Sequence, residues 1–298
     1  MKSQFTSRRL TVCAGLVLVL PFWTQAQPTS HYCPGSEGLL GASVPPPGFY
    51  FRDYNIFYTA DQVNNSTGHS AGPPNFNVFT YAQVPRFVWI PDVKVLGGNI
   101  GVNALEPFVA ESVTAGPYHS SSFTPGDLLL DAFMAWHPQP FDFVFAAGDW
   151  IPIGETGSPP NARAGLGYWG TMITAGVTWH IDKEKTWSIS LLNRYEINGE
   201  QRDTHITPGQ AETLEWGIGK KFAKCLEAGI SGYYQGKMTR DSGMGSMDNR
   251  DSAASIGPEI KTEIPKIGLH ASLRFLYEFM ADNRAQGEAV VLTLTKRF

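Results

Sequence analysis

From residue 48 to the C-terminus, apolar and polar positions alternate at a spacing of two in one stretch after another. That period belongs to strands with an apolar medium on one face and a polar one on the other. Residues 269–282 show it most clearly: Leu269, Ala271, Leu273, Phe275, Tyr277, Phe279 and Ala281 alternate with His270, Ser272, Arg274, Leu276, Glu278, Met280 and Asp282. The terminal GEAVVLTLTKRF repeats the pattern, with Val290, Leu292, Leu294 and Phe298 on one face and Val291, Thr293, Thr295 and Arg297 on the other. No stretch after the N-terminal 26 residues carries a helical period.

The pattern predicts twelve strands, beginning near 48, 75, 94, 126, 140, 166, 186, 211, 226, 253, 267 and 287. Connections at 64–74, 112–125, 152–165, 198–209 and 237–252 are long and polar, whereas those at 91–93, 137–140, 182–185, 223–225 and 263–266 are tight. Long loops at one rim and short turns at the other mark a transmembrane barrel. The expected fold is therefore all-β, an antiparallel up-and-down barrel of about twelve strands over 48–298. A soluble sandwich also alternates, but strands of this length and two classes of loop favour the barrel. Face assignment follows from charge. An arginine facing lipid near the midplane costs about 2–4 kcal/mol, so the face with Arg274 points inward. Trp136, Trp169, Trp179, Trp187 and Trp216 fall near expected strand ends, where an aromatic girdle belongs. Lys296 sits on the otherwise apolar face of the last strand, so the register requires it to lie at the membrane rim, where it can snorkel.

The N-terminus fits a barrel destined for an outer membrane. Lys2, Arg8 and Arg9 precede an apolar run from Leu10 to Leu20, and Thr24-Gln25-Ala26 precedes Gln27, as in a cleaved secretory signal over 1–26. The run is too short for a spanning helix. Residues 27–47, with Pro28, Pro34, Gly35, Gly38, Gly41 and Pro45-Pro46-Pro47, cannot hold a long regular element. They read as a periplasmic leader or a plug in the barrel mouth, the leader being the simpler choice.

Composition narrows the partners. The formal charge of −4 becomes −7 without the signal, 20 basic against 27 acidic residues, which argues against nucleic acid. Expected partners are outer-membrane lipid, the barrel-assembly machinery and a small ligand, for a monomeric chain. No P-loop, dinucleotide fingerprint, zinc spacing or haem motif is present, so no cofactor is expected. Asp241, Asp248, Asn249 and Asp251 cluster in one loop without a metal-binding spacing, and a solvated loop accounts for them. Three cysteines occur, and Cys13 leaves with the signal. An oxidising compartment permits a Cys33–Cys225 disulfide, and sequence leaves the pairing open.

The residues Gly126-Asp127 leading to Trp136-His137, Pro152-Ile153-Gly154, Gly232-Tyr233-Tyr234-Gln235, Asp241-Ser242-Gly243, Gly257-Pro258, Asn283-Arg284 with Gly287, and the Val290–Phe298 end together resemble the outer-membrane proteins associated with the meta-cleavage pathway of phenol degradation. The resemblance spans about 48–298 and implies passage of aromatic or other hydrophobic compounds across the outer membrane. Pro208-Gly209-Gln210, where a more acidic turn is expected, and Lys296, where an aromatic is common, depart from the pattern.

Alternation assigns Asp131, Arg194, Glu196, Glu227, Tyr233, Glu259, Lys261, His270, Arg274 and Glu278 to the lumen. They form either a selectivity network in a narrow pore or a salt-bridged packing network, and both require paired charges. A plain polar-solute porin is one alternative. Another is an outer-membrane hydrolase, because His270 and Ser272 share a strand face within reach of one another. That face also carries Arg274 and Glu278, so it points away from lipid, and no enzymatic activity is expected.

Overall fold

A computed structural model describes residues 29–157, 163–246, 248 and 250–298. The signal expected over 1–26, its cleavage at Ala26/Gln27, and Asn249 of the acidic loop lie outside the described residues. Among the described residues, fifteen strands form one antiparallel sheet: β1 (Gly48–Val63), β2 (Asn77–Ile90), β3 (Lys94–Val95), β4 (Gly98–Leu105), β5 (Phe108–Ala115), β6 (Tyr118–Pro125), β7 (Leu128–Trp136), β8 (Phe141–Ile151), β9 (Gly170–His180), β10 (Trp187–Asn198), β11 (Ala211–Ala223), β12 (Leu226–Lys237), β13 (Ser252–Ile264), β14 (Leu269–Asp282) and β15 (Ala285–Arg297). Twelve of them, β1, β2, β4 and β7 through β15, close into a ring. The terminal strand makes the closure, pairing with β1 from Tyr50↔Arg297 to Val63↔Ala285.

The third and fourth walls of the barrel differ from the expectation. Residues 112–125, expected as a loop, belong to a hairpin in which β5 pairs with β6 around Gly116-Pro117, with Gly116 at φ 61°. β4 and β5 are two halves of one wall strand, broken at Glu106-Pro107. β2 pairs with β4 through Arg86–Trp89 and with β5 through Asn77–Gln83. Pro107 has no N–H to give the ladder, so the strand bends there. β6 pairs with β5 and ends the sheet. With His119, Ser120, Ser121 and Ser122 in a row it has no apolar alternation, and it reads as a polar loop.

Elsewhere the faces are as charge requires. Leu273, Phe275, Tyr277 and Phe279 of β14 point outward and are exposed, while Ser272, Arg274, Leu276 and Glu278 are buried inside. Aromatic side chains gather at the short-turn rim: Trp89, Phe141, Trp179, Trp187 and Phe298 are all exposed there. Trp216 is a correction to the girdle, since it sits mid-strand in β11 opposite Gly232. A Cβ on Gly232 would lie 2.7 Å from the Trp216 indole, so the glycine makes room for the ring. Lys296 reaches the backbone carbonyl of Ile267 in the β13–β14 turn, at the rim. A polar group interrupts the outer apolar face on β1 and β2: Asp53 accepts from Asn55 (3.1 Å) and Gln83 (3.3 Å), and Tyr81 donates to Asn55 (2.8 Å). Polar groups at membrane depth persist by bonding one another, and these lie beside the Glu106-Pro107 break.

Candidate functional site

Residues 29–47 run inside the ring, not beneath it as a leader. At the long-loop rim, Arg284 of the β14–β15 turn donates to the Thr29 hydroxyl (2.9 Å). At the short-turn rim the Tyr50 hydroxyl donates to the Pro46 carbonyl (2.6 Å). Between these points the segment traverses the lumen with few hydrogen bonds of its own, and a buried irregular chain must find partners for its backbone groups. The wall supplies them. The amides of Glu37 and Leu39 donate to Glu215 and Glu259 (2.9 Å each), and the Ala42 amide donates to the Ser190 hydroxyl (3.2 Å). Arg274 donates to the Gly35 carbonyl (2.7 Å) and Lys261 to the Leu39 carbonyl (2.8 Å). A Cβ on Gly38 would stand 1.9 Å from the Glu259 carboxylate, which would have to move to admit it.

Side chains of the segment complete the wall's charge clusters. Glu37 accepts from Arg52 (2.7 Å), from Arg86 (3.3 Å) and from the Tyr54 hydroxyl (2.7 Å). Arg194 pairs with Glu215 and stacks on the Tyr32 ring (4.0 Å), while the Tyr32 hydroxyl donates to Glu215 (2.9 Å). His31 lies between Glu196 (2.6 Å) and Asp127 (3.2 Å), with its ring stacked on Trp150. Nδ1 is at hydrogen-bond distance from Glu196, while Nε2 faces Asp127 without a hydrogen bond to it. Asp127 also accepts from the amides of Gly154 (2.9 Å) and Leu166 (2.8 Å), tying the long β8–β9 loop to the same point.

The ten lumen candidates divide cleanly. Arg194, Glu196, Glu259, Lys261 and Arg274 touch the inner segment directly. Tyr233 donates to Glu278 (2.6 Å), which also accepts from Tyr58 (3.0 Å) and the Gly287 amide (2.7 Å). Glu227 accepts from Ser188 (3.3 Å), and Asp131 accepts from Asn103. His270 is not drawn in. It is exposed at the start of β14, opposite Glu263 and Thr295. Ser272 accepts from Arg274 (3.2 Å) and makes no bond to His270. Cys33 and Cys225 are free thiols, so the disulfide does not form. Cys33 is inside the barrel, whereas Cys225 lies in the β11–β12 turn at the short-turn rim.

Not all of the lumen is filled. On the side of β2, β4, β7, β8 and β9 the inner segment leaves a chamber of about 120 Å³. Its wall toward β7 and β8 carries Leu129, Phe133 and Ala146, with Asp131 between the first two on the same face of β7. Arg52, Arg86 and Glu37 also line it.

Residues 60–294 match the sequence profile of the family described as "Putative MetA-pathway of phenol degradation". The chain belongs to this family. Among solved structures, an outer membrane channel from Pseudomonas putida F1 matches with a TM-score of 0.76 and 12% identity, over 90% of this chain and 100% of that one. The beta domain of a Bordetella autotransporter matches with a TM-score of 0.50 and 11% identity, over 85% and 100% of the two chains. No curated protein matches the sequence. At such identities the likeness is one of fold, and the fold is that of outer-membrane barrels.

All ten candidates fall within the family span, while the inner segment precedes it. Sequence reasoning missed Arg52, Tyr54, Arg86 and Glu215, although their positions among inward Tyr50, Ile56, Val84, Val88, Thr213 and Gly217 carried the signal. His31 and Glu37 had no such signal, because their stretch has no period.

Proposed function

We propose that this family member is an outer-membrane channel for passive passage of small hydrophobic compounds, aromatic ones included, with residues 29–47 as a plug that constricts the lumen. One observation carries the reading. Along one side of the lumen Val88, Leu105, Leu129, Phe133, Ala146 and Met172 are buried at inward positions, interleaved with Arg86, Asn103, Asp131 and Thr174. A polar-solute porin has no use for such a strip, since its interior holds water. A hydrophobic solute gains about 25 cal/mol for each Å² of apolar surface it removes from water. The charge clusters around the lumen hold the plug in place. Because Ser272 is bonded to Arg274 and away from His270, the hydrolase reading has no activated nucleophile to rest on.

Planar-bilayer recordings test this against the porin alternative. The expected outcome is a small ion conductance interrupted in a concentration-dependent way by a single-ring aromatic added to either side. A conductance that aromatic solutes leave unchanged sinks the hydrophobic reading and favours a polar pore.

A further inference from the structure

Lysine is distributed unevenly over the barrel. Of the ten lysines beyond residue 26, eight stand at the short-turn rim. The other two are engaged elsewhere: Lys237 pairs with Asp241 (3.2 Å), and Lys261 donates to the plug at Leu39. Five of the eight, Lys183, Lys185, Lys220, Lys221 and Lys224, fall in the β9–β10 turn and at the neighbouring end of β11. These two pieces are joined, since Trp187 pairs with Lys220 and the Lys221 amide donates to the Thr186 carbonyl (2.7 Å).

Like charges gathered this closely repel one another unless an anion lies among them. The protein supplies little. Asp182 is turned onto the Thr186 hydroxyl and amide and the Trp187 amide, which leaves Glu184 as the other carboxylate of the β9–β10 turn. Lys185 lies 4.0 Å from Asp142, and the remaining four lysines form no ion pair among the described residues. In a chain that is acidic as a whole, one part of one rim is thus strongly basic.

What lies beneath the lysines decides the kind of anion. Lys220 is on the outer face of β11, its ammonium 4.8 Å from the Trp187 ring and 5.5 Å from the Phe222 ring. Both rings are exposed, Phe222 by 63%, and so are Ile181 and Leu226 at the adjoining strand ends. Aromatic side chains at the rim of a barrel mark the boundary between hydrocarbon and headgroups. The lysine ammonium groups therefore stand at headgroup depth, with their stems along the apolar surface. A ligand that answers both layers needs a phosphate for the ammonium groups and acyl chains for the rings. An acidic peptide would meet the charge and leave Phe222 uncovered. Short turns face the periplasm, where the leaflet is made of phospholipid. A basic patch at a membrane surface attracts anionic headgroups, whereas a zwitterionic headgroup brings an ammonium of its own that cancels the attraction.

We propose that the β9–β10 turn and the end of β11 form a binding site for an anionic phospholipid of the periplasmic leaflet. Its phosphate sits at Lys220 within the field of Lys183, Lys221 and Lys224, and its acyl chains run along Trp187 and Phe222. The site goes beyond the channel reading and holds whatever passes through the lumen.

Native mass spectrometry of the full chain in detergent, titrated with phosphatidylglycerol and with phosphatidylethanolamine of the same acyl chains, reads the preference. The expected result is at least fivefold tighter binding of phosphatidylglycerol. A variant carrying Lys183→Gln, Lys220→Gln, Lys221→Gln and Lys224→Gln should bind the two lipids alike. One carrying Lys94→Gln and Lys266→Gln, elsewhere on the same rim, should keep the preference. A second measurement needs no substitution: in nanodiscs, acetylation by a water-soluble reagent should be at least threefold slower at Lys183, Lys220 and Lys224 in phosphatidylglycerol than in phosphatidylethanolamine, with Lys94 and Lys266 slowed less than half as much. Equal affinity for the two lipids, a folded fourfold variant that keeps the preference, loss of it in the Lys94 and Lys266 variant, or equal protection of all five lysines overturns the proposal. So does displacement of phosphatidylglycerol by a polyglutamate peptide at equal concentration, which would make the patch a docking surface for an acidic protein.

Discussion

Glu37 is the residue on which docking of the plug depends most. It is buried, and it meets two guanidinium groups and a tyrosine hydroxyl contributed by β1 and β2. Removing one member of a buried ionic cluster costs about 3–5 kcal/mol, because the remaining charges lose their compensation. Glu37→Ala should therefore release the segment, seen as at least tenfold faster limited proteolysis within residues 29–47. An unchanged rate would mean that the backbone contacts at Leu39 and Gly35 hold the segment alone. His31→Ala should loosen the upper part of the segment and the β8–β9 loop together, since Asp127 binds both. Limited proteolysis within 152–167 reads that coupling, and cleavage of the variant at the wild-type rate would refute it. The two cysteines call for a separate check. Mobility should be identical with and without reductant, and two thiols should titrate in the denatured chain. Legibility at this scale followed periodicity. Arg274, Glu278 and Arg194 were placed correctly because each sits in an alternating strand, whereas Glu37 lies among prolines and glycines that set no face.

At the scale of elements, the strands were legible and their interruptions were not. β10, β11, β12 and β14 begin where the pattern places them to within two residues, because lipid on one side and the lumen on the other enforce a period of two. The β5–β6 hairpin escaped because the run His119-Ser120-Ser121-Ser122 shows no apolar face, although it pairs with β5 residue by residue. A turn at the short-turn rim gives a further expectation. Asp182 accepts from the Thr186 hydroxyl (2.6 Å) and from the Trp187 amide (2.8 Å). The Thr186 hydroxyl first, and the Trp187 amide next, hold its carboxyl down to about 2. The sign follows: the lowered value makes the turn's stabilisation fully present above the ordinary carboxylate range and lost as pH falls through about 2. Amide exchange at Thr186 and Trp187 should stay protected at neutral pH in the wild type and accelerate in Asp182→Ala. Equal exchange in both would show that the carboxylate does not hold the turn.

For the whole molecule, the barrel and the segment inside it divide the work. Twelve strands are enough to enclose a lumen wider than that of the eight-stranded barrels filled by their own side chains, and residues 29–47 occupy most of that extra width. The closing strand was readable from its alternation, and its Lys296 lies at the rim as the register requires. The plug was not readable, since a Pro/Gly-rich stretch carries the same letters whether it lies in water or in a barrel. Passage of small hydrophobic compounds is tested most directly by the initial uptake rate of labelled phenol, toluene and an alkane by cells with intact outer membranes, comparing a strain lacking the gene with the same strain complemented. Complementation should raise the rate for at least the single-ring aromatics several-fold. Indistinguishable rates for every hydrophobic compound would contradict it.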